Sequence, residues 1–146
     1  MYQTYILKKF YLKLKMLRQA VVTLQLKGNT THQSVKLYES IKRCMLEIAN
    51  DPTSDKYLLG NTMGKEHRDW RRSKQYLPNR YRLFFKYFSK ELEIYYAWLN
   101  DENTLRKDGA KTDCYNVFQS FLDSETISSD RENLQNTAQK IDIEKL

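Results

Sequence analysis

Arg80-Tyr81-Arg82-Leu83-Phe84-Phe85-Lys86-Tyr87, then Phe88-Ser89-Lys90-Glu91, then Leu92-Glu93-Ile94-Tyr95-Tyr96-Ala97-Trp98-Leu99 is the stretch that decides the fold. Two runs rich in aromatic and β-branched residues flank a short polar connection, the pattern of a β-hairpin. Successive side chains of a strand point to opposite faces. Tyr81, Leu83 and Phe85 therefore share one face of the first strand, and Arg80, Arg82, Phe84 and Lys86 the other. In the second strand the same rule sets Leu92, Ile94, Tyr96 and Trp98 against Glu93, Tyr95, Ala97 and Leu99.

Upstream, the apolar period changes. Ile6, Phe10, Leu14, Leu17, Val21 and Leu24 recur at steps of three and four, which predicts a helix with Lys8, Lys9, Lys13, Lys15 and Arg18 off the stripe. It reads as a core-packing helix with a solvated basic back, and a helix lying on a membrane surface is the alternative. Gly28-Asn29 ends it. A second helix is predicted from Thr31 to Ala49, with Val35, Tyr38, Ile41, Met45 and Ile48 inward, Thr30 or Thr31 as cap, and Asn50-Asp51-Pro52 as stop. The short turn between the two makes them an antiparallel pair. Residues 51–66 read as loop. Downstream of the hairpin, Asn100-Asp101-Glu102-Asn103 is a polar loop, and Thr112 or Asp113 caps a helix with Tyr115, Phe118 and Leu122 inward. The expected class is α+β: an N-terminal antiparallel helix pair packed on a small antiparallel sheet, with a C-terminal helix. Beyond Asp123 the chain turns polar and acidic and is expected to be a flexible tail.

The 146 residues suffice for one domain with a real core. The net charge of +7 is uneven: residues 123–146 carry six acids against three bases, which leaves about +10 on residues 1–122. A body this basic calls for a polyanionic partner, nucleic acid before an acidic protein or an anionic membrane. Cys44, Cys114, His32 and His67 show no metal-ligand spacing, so neither a metal nor another cofactor is expected. No apolar run approaches the length of a membrane span, no signal peptide is evident, and the simplest compartment is the cytoplasm.

The chemistry-bearing residues cluster around the hairpin. In His67-Arg68-Asp69-Trp70-Arg71-Arg72, alternation puts Arg68, Trp70, Arg72 and Lys74 on one face if this stretch is a strand, beside Arg80 and Arg82 of its neighbour. A guanidinium stays charged and offers phosphate two parallel hydrogen bonds. Trp70 is either a platform for a base or the ring that fixes the arginine strand to the core. Asp101 or Glu102 acts as a general base or, preferably, orients Arg106 or an arginine of the strands. Asp113 reads as a helix cap, and His67 is the natural proton carrier near neutral pH. Phosphate-binding glycine loops, dinucleotide fingerprints, paired-histidine metal motifs and nucleophile elbows are absent. Metal-free RNA cleavage fits what remains, because the RNA 2′-hydroxyl is itself the nucleophile and the protein need only align it and neutralise charge.

Arg80–Tyr87, Ala97-Trp98-Leu99-Asn100-Asp101-Glu102-Asn103-Thr104-Leu105-Arg106 and Lys111-Thr112-Asp113-Cys114-Tyr115-Asn116-Val117-Phe118 closely resemble the YhaV family of bacterial toxins, almost continuously from Gly60 to Phe121. The resemblance implies a RelE-like endoribonuclease domain over residues 1–123, with 124–146 as its tail. It implies the toxin of a type II toxin–antitoxin pair, cutting mRNA, with the ribosome as a possible participant, and neutralised by a PrlF-type antitoxin with an AbrB-like domain. Carried over by position, His67, Trp70 and Arg72 fall on the family's His/Trp/Arg segment, and Arg80, Arg82, Asn100, Asp101, Arg106, Asp113 and Tyr115 on its later polar positions. Together with the reading of the residues, this makes Arg72, Arg80, Arg82, His67, Asp101 and Arg106 the catalytic candidates and Arg68, Trp70, Arg71, Lys74, Asn100 and Tyr115 the RNA-binding ones. Cys114 stands where the family commonly has Ala, and the segment after Phe121 lacks the family's Pro-Pro and Trp. A non-catalytic RNA- or ribosome-binding module is the alternative, and a protein target, as for RelE-fold relatives that poison gyrase, is a third.

Overall fold

A computed structural model describes residues 1–146 as an α+β fold of four helices and a five-stranded mixed sheet. The strands are β1 (Gln3–Leu7), β2 (Arg71–Ser73), β3 (Leu83–Phe88), β4 (Glu93–Leu99) and β5 (Ala138–Lys140). The helices are α1 (Lys8–Leu26), α2 (Gln33–Asn50), α3 (Cys114–Asp123) and α4 (Arg131–Thr137). Strand order across the sheet is β2-β3-β4-β1-β5. No helix is long and apolar enough to cross a membrane.

The hairpin forms as its sequence predicts, β3 pairing antiparallel with β4. Both faces of it are covered, which is why its residues are almost uniformly buried. On one face Leu83, Phe85, Ile94, Tyr96 and Leu99 join Phe10, Leu14 and Val21 of α1 and Val35, Ile41, Met45 and Ile48 of α2 in the main core. On the other, Phe84 and Ala97 pack with Trp70 and with Cys114, Tyr115, Phe118 and Leu122 of α3. Burying side chains of this size contributes about 1.5–3 kcal/mol each.

Several expectations change. Ile6 belongs to a strand: Gln3–Ile6 run parallel to Glu93–Tyr96, and α1 starts only at Lys8. Its position in the apolar stripe is coincidental, since one residue satisfies a period of two and a period of 3.6 alike. The sheet is accordingly mixed, not purely antiparallel. The cap of α2 is His32, whose Nδ1 accepts from the Ser34 amide at 3.0 Å, rather than a threonine.

Strict alternation also fails at one point in β4. Phe84 pairs with Trp98 but Phe85 pairs with Tyr96, so Ala97 is the extra residue of a β-bulge. Trp98 is thereby turned onto the α3 face and Leu99 into the helix-side core, the reverse of the period-two assignment.

Residues beyond Asp123 are ordered elements. β5 pairs antiparallel with β1, Leu134 of α4 is buried against Tyr5 and Tyr95, and Ile143 enters the main core. Arg131 donates two hydrogen bonds to the Glu93 carboxylate, at 2.8 and 3.0 Å. Few but well-spaced apolar residues and one buried-side ion pair attach a segment whose composition alone reads as tail.

Candidate functional site

Local chain geometry brings four side chains together at the N-terminal end of α3. Asp113 caps that helix, its Oδ2 accepting from the Tyr115 amide at 3.2 Å. Its Oδ1 accepts from the Lys107 amide at 2.6 Å and from the Arg106 guanidinium at 2.8 Å. Arg106 lies over the Tyr115 ring, 4.9 Å from its centroid, and Asp113 raises its pKa further by hydrogen bonding. Tyr115 packs edge-on against Phe84, and its hydroxyl accepts from Arg72 Nε at 2.9 Å. Arg72 also donates to the Lys56 carbonyl at 2.9 Å. Asp113, Arg106, Tyr115 and Arg72 thus form one connected chain of contacts, with a phenol between two guanidinium groups.

Arg82 lies on β3's N-terminal flank, near enough to Cys114 at the start of α3 for its charge to act on that thiol. Its guanidinium donates to the Tyr81 carbonyl at 2.9 Å, while its buried Nε has no hydrogen-bond partner. A buried donor left unmet costs free energy comparable to a lost hydrogen bond. The neighbouring Cys114 thiol is pushed up to about 11, chiefly by burial, and is an inert apolar filler at neutral pH. Arg80 is exposed, with a positive φ of 71° that turns its side chain outward at the loop.

Asn100 is fully buried and braces the backbone of these arginines. Its Oδ1 accepts from the Arg82 amide at 2.7 Å, and its Nδ2 donates to the carbonyls of Arg80 and Thr104 at 3.0 and 2.9 Å. Every polar atom of the side chain is engaged within the protein. Asp101 does not reach Arg106; its Oδ1 accepts from the Asn103 amide at 2.9 Å and the Thr104 hydroxyl at 2.9 Å, closing the loop. The partner of Arg106 is Asp113, seven residues away, a pairing with no periodic signature in the sequence.

Trp70 is buried at 1% exposure, and its indole N–H donates to Ser129 Oγ at 2.8 Å. It stands edge-on to Phe118 and serves as core, which excludes it as a base platform. Only Arg71–Ser73 of the expected strand pairs as one, so Arg68 and Lys74 lie outside it, both exposed. Arg71 points to the opposite face from Arg72, donating to the Thr53 and Ser54 carbonyls and covering Tyr87.

His67 is nearly buried, and its Nε2 lies 2.7 Å from Asp123 Oδ1. Asp123 ends α3 whereas Tyr115 begins it, and eight residues of helix at about 1.5 Å rise place the two some 12 Å apart. His67 therefore stands away from the arginine cluster. Glu66, His67 and Asp123 bring three metal-type ligand atoms within 4.8 Å of one another, the one such grouping in the chain.

A small mixed sheet thus carries an arginine–tyrosine cluster held by a capping aspartate, an arrangement of guanidinium donors of the kind that suits phosphate. A family model for the YhaV toxins, described as toxins with endonuclease activity of a toxin–antitoxin system, matches residues 4–139, and the chain belongs to that family. It is 43% identical over 88 residues to "Toxin YhaV" of Escherichia coli O6:H1, covering 60% of this chain and 56% of that protein. It is 46% identical over 76 residues to "Ribonuclease toxin YhaV" of Escherichia coli K12, covering 51% of this chain and 49% of that protein. The chain spans about half the length of the curated relatives it matches. No solved structure matches it.

Proposed function

We propose that this chain is the toxin of a type II toxin–antitoxin pair and a metal-independent endoribonuclease that cleaves mRNA in the cytoplasm. Its restraint by a PrlF-type antitoxin and a RelE-like placement of the site, opposite the α1–α2 face of the sheet, belong to the same reading. The observation that carries it is the run Arg72–Tyr115–Arg106–Asp113. Attack of a 2′-oxygen on the adjacent phosphorus breaks the bond to the 5′-oxygen, leaving a 2′,3′-cyclic phosphate and a 5′-hydroxyl. The 2′-proton passes to solvent, and the departing 5′-oxygen takes one up. Arg72, Arg82 and Arg106 meet the charge that builds on the phosphoryl oxygens, and the Tyr115 hydroxyl, held by Arg72, is the group in the cluster able to hand over a proton. Lys74 and Arg80, both exposed and flanking Arg72 and Arg82 in sequence, add further positive charge to the approach.

A second reading, a binding module without catalysis, is favoured by one observation: His67 pairs with Asp123 at the far end of α3, which leaves the cluster no imidazole. Incubating the protein with end-labelled RNA in EDTA separates the two. Discrete fragments with cyclic-phosphate ends, lost at least about a hundredfold in Arg72→Ala of unchanged thermal stability, are the expected result. Binding without cleavage, alone and with translating ribosomes, refutes the catalytic reading.

A further inference from the structure

We infer that a second nucleotide-binding pocket lies across α3 from the arginine cluster, at the start of α1, an inference that rests on the RNA reading above. The cavity there has a volume of about 340 Å³ and lies between the first turns of α1, β4, the end of α3 and α4. Its size falls at the lower end of small-ligand sites, suited to one nucleotide. Trp98 and Phe121 provide aromatic walls, Lys8, Lys9 and Lys13 enter from α1, and Thr126, Ser128 and Asn133 add hydrogen-bonding groups.

Two features point to a base joined to a phosphate. Trp98 is only half-buried, the outer ring of a stack that continues through Phe118, parallel to it within 9°, so its ring is held rigid while part of it stays open. Stacking a base on such a ring is favourable and indifferent to base identity. The second feature is electrostatic. The amino end of a helix is positive and ordinarily attracts acidic residues or a side-chain cap. α1 has neither: Leu7 supplies no capping hydrogen bond, the first turn holds no acid, and Lys8 and Lys9 stand there instead. Asp101 and Glu125 also line the pocket, but Asp101 sits against Lys13, which is tied to the Leu99 and Asn100 carbonyls. The two exposed lysines at the helix end therefore face Glu125 with a positive excess, and a phosphate relieves the crowding.

Sheet register aligns this pocket with the first site. Arg72 pairs with Phe84, and Phe84 with Trp98, so the three form one row across β2, β3 and β4 on the α3 face. At about 4.8 Å between strands, Arg72 and Trp98 are some 10 Å apart through a core filled by Phe84 and Phe118, so a strand joining the two sites passes over α3. Rounding a helix about 10–12 Å across takes roughly 16–19 Å, which six stacked nucleotides at about 3.4 Å each cover. Tyr115 and Phe121 project from the two flanks of α3, with Phe118 between them on the sheet. One strand of RNA thus meets arginines on one flank and the Trp98 pocket on the other, and this continuity favours RNA over an acidic peptide as occupant.

The test uses 2′-O-methyl oligoadenylates, which lack the nucleophile and stay intact, at lengths of two and six nucleotides. The wild-type protein is expected to bind the longer probe about tenfold tighter or better, as one added stacked base and its phosphate contacts require. The double variant Lys8→Ala/Lys9→Ala, altered only at exposed positions, and Trp98→Phe should each lose that gain while binding the dinucleotide as before. Trp70 is buried and hydrogen-bonded, so quenching of tryptophan fluorescence by the longer probe should vanish in Trp98→Phe. Unchanged binding of the longer probe by both variants, or no gain with length in the wild type, overturns the second pocket and leaves the arginine site standing. Failure of the wild type to bind either probe refutes the RNA reading itself.

Discussion

Replacing Asn100 with Ala removes three hydrogen bonds from the interior without altering any surface group: one from the Arg82 amide, and one each to the Arg80 and Thr104 carbonyls. The cost differs between partners. The Arg80 carbonyl keeps the Arg106 amide at 3.0 Å, and the Thr104 carbonyl lies in a partly exposed loop that water can reach. The Arg82 amide has no other acceptor. At about 1 kcal/mol for each of the two milder losses and about 1–3 kcal/mol for the stranded amide, destabilisation amounts to about 3–5 kcal/mol. For a chain of this size that lowers Tm by roughly 10–15 °C. Thermal unfolding followed by circular dichroism, with urea midpoints as a check, measures it. Asn100→Asp keeps the acceptor but turns a carboxylate towards two carbonyls. The buried new carboxyl has a raised pKa, so this variant should recover part of its loss as pH falls. A Tm of Asn100→Ala within about 2 °C of wild type, with RNA affinity lost, would show that Asn100 touches RNA and that the brace reasoning is wrong.

Three other expectations follow from the same geometry. RNA affinity should fall with salt at about 0.7 log units per phosphate contact per log unit of salt, and Arg72→Ala should reduce the slope by about that amount; equal slopes in the two proteins would remove Arg72 from the phosphate site. Trp70→Phe forfeits the Ser129 hydrogen bond and some core volume, and should cost about 1–3 kcal/mol by denaturant titration while leaving the salt slope unchanged. The Glu93 carboxyl is held below its ordinary pKa first by the Arg131 hydrogen bond and then by Tyr95. Its stabilisation is therefore present above the unfolded carboxyl pKa and is lost as pH falls through the folded one, so protection factors for hydrogen exchange in β5 and α4, taken relative to the intrinsic rate at each pH, should fall on acidification through that range, and Glu93→Gln should abolish the dependence.

Much of the scaffold was legible in local pattern. The hairpin at Leu83–Leu99, the end of α1 before Gly28, the stop of α2 at Asp51-Pro52 and the Asp113 cap all rest on residues whose effect reaches only a few positions along the chain. The arginine set was legible as charge and residue type, and Arg72 and Arg106 both meet Tyr115 near the start of α3. Their partners were not. Arg106 with Asp113, Arg72 with Tyr115 and His67 with Asp123 are separated by seven, 43 and 56 residues, and no periodicity links such positions.

By itself, then, the sequence determined the α+β class, the basic body and the identity of the cations, because propensity, capping and charge are properties of neighbouring residues. Only the tertiary structure decided that β1 runs parallel to β4, that the Ala97 bulge turns Trp98 to the α3 face, and that residues after 123 close the sheet with β5. It also decided which polar residues brace the site and which face outward: Asn100 and Trp70 are spent inside, His67 is carried to the far end of α3, and Arg71 is turned to the other face. Strand pairing and burial depend on what distant parts of the chain supply as partners, and a one-residue change of register exchanges inside for outside.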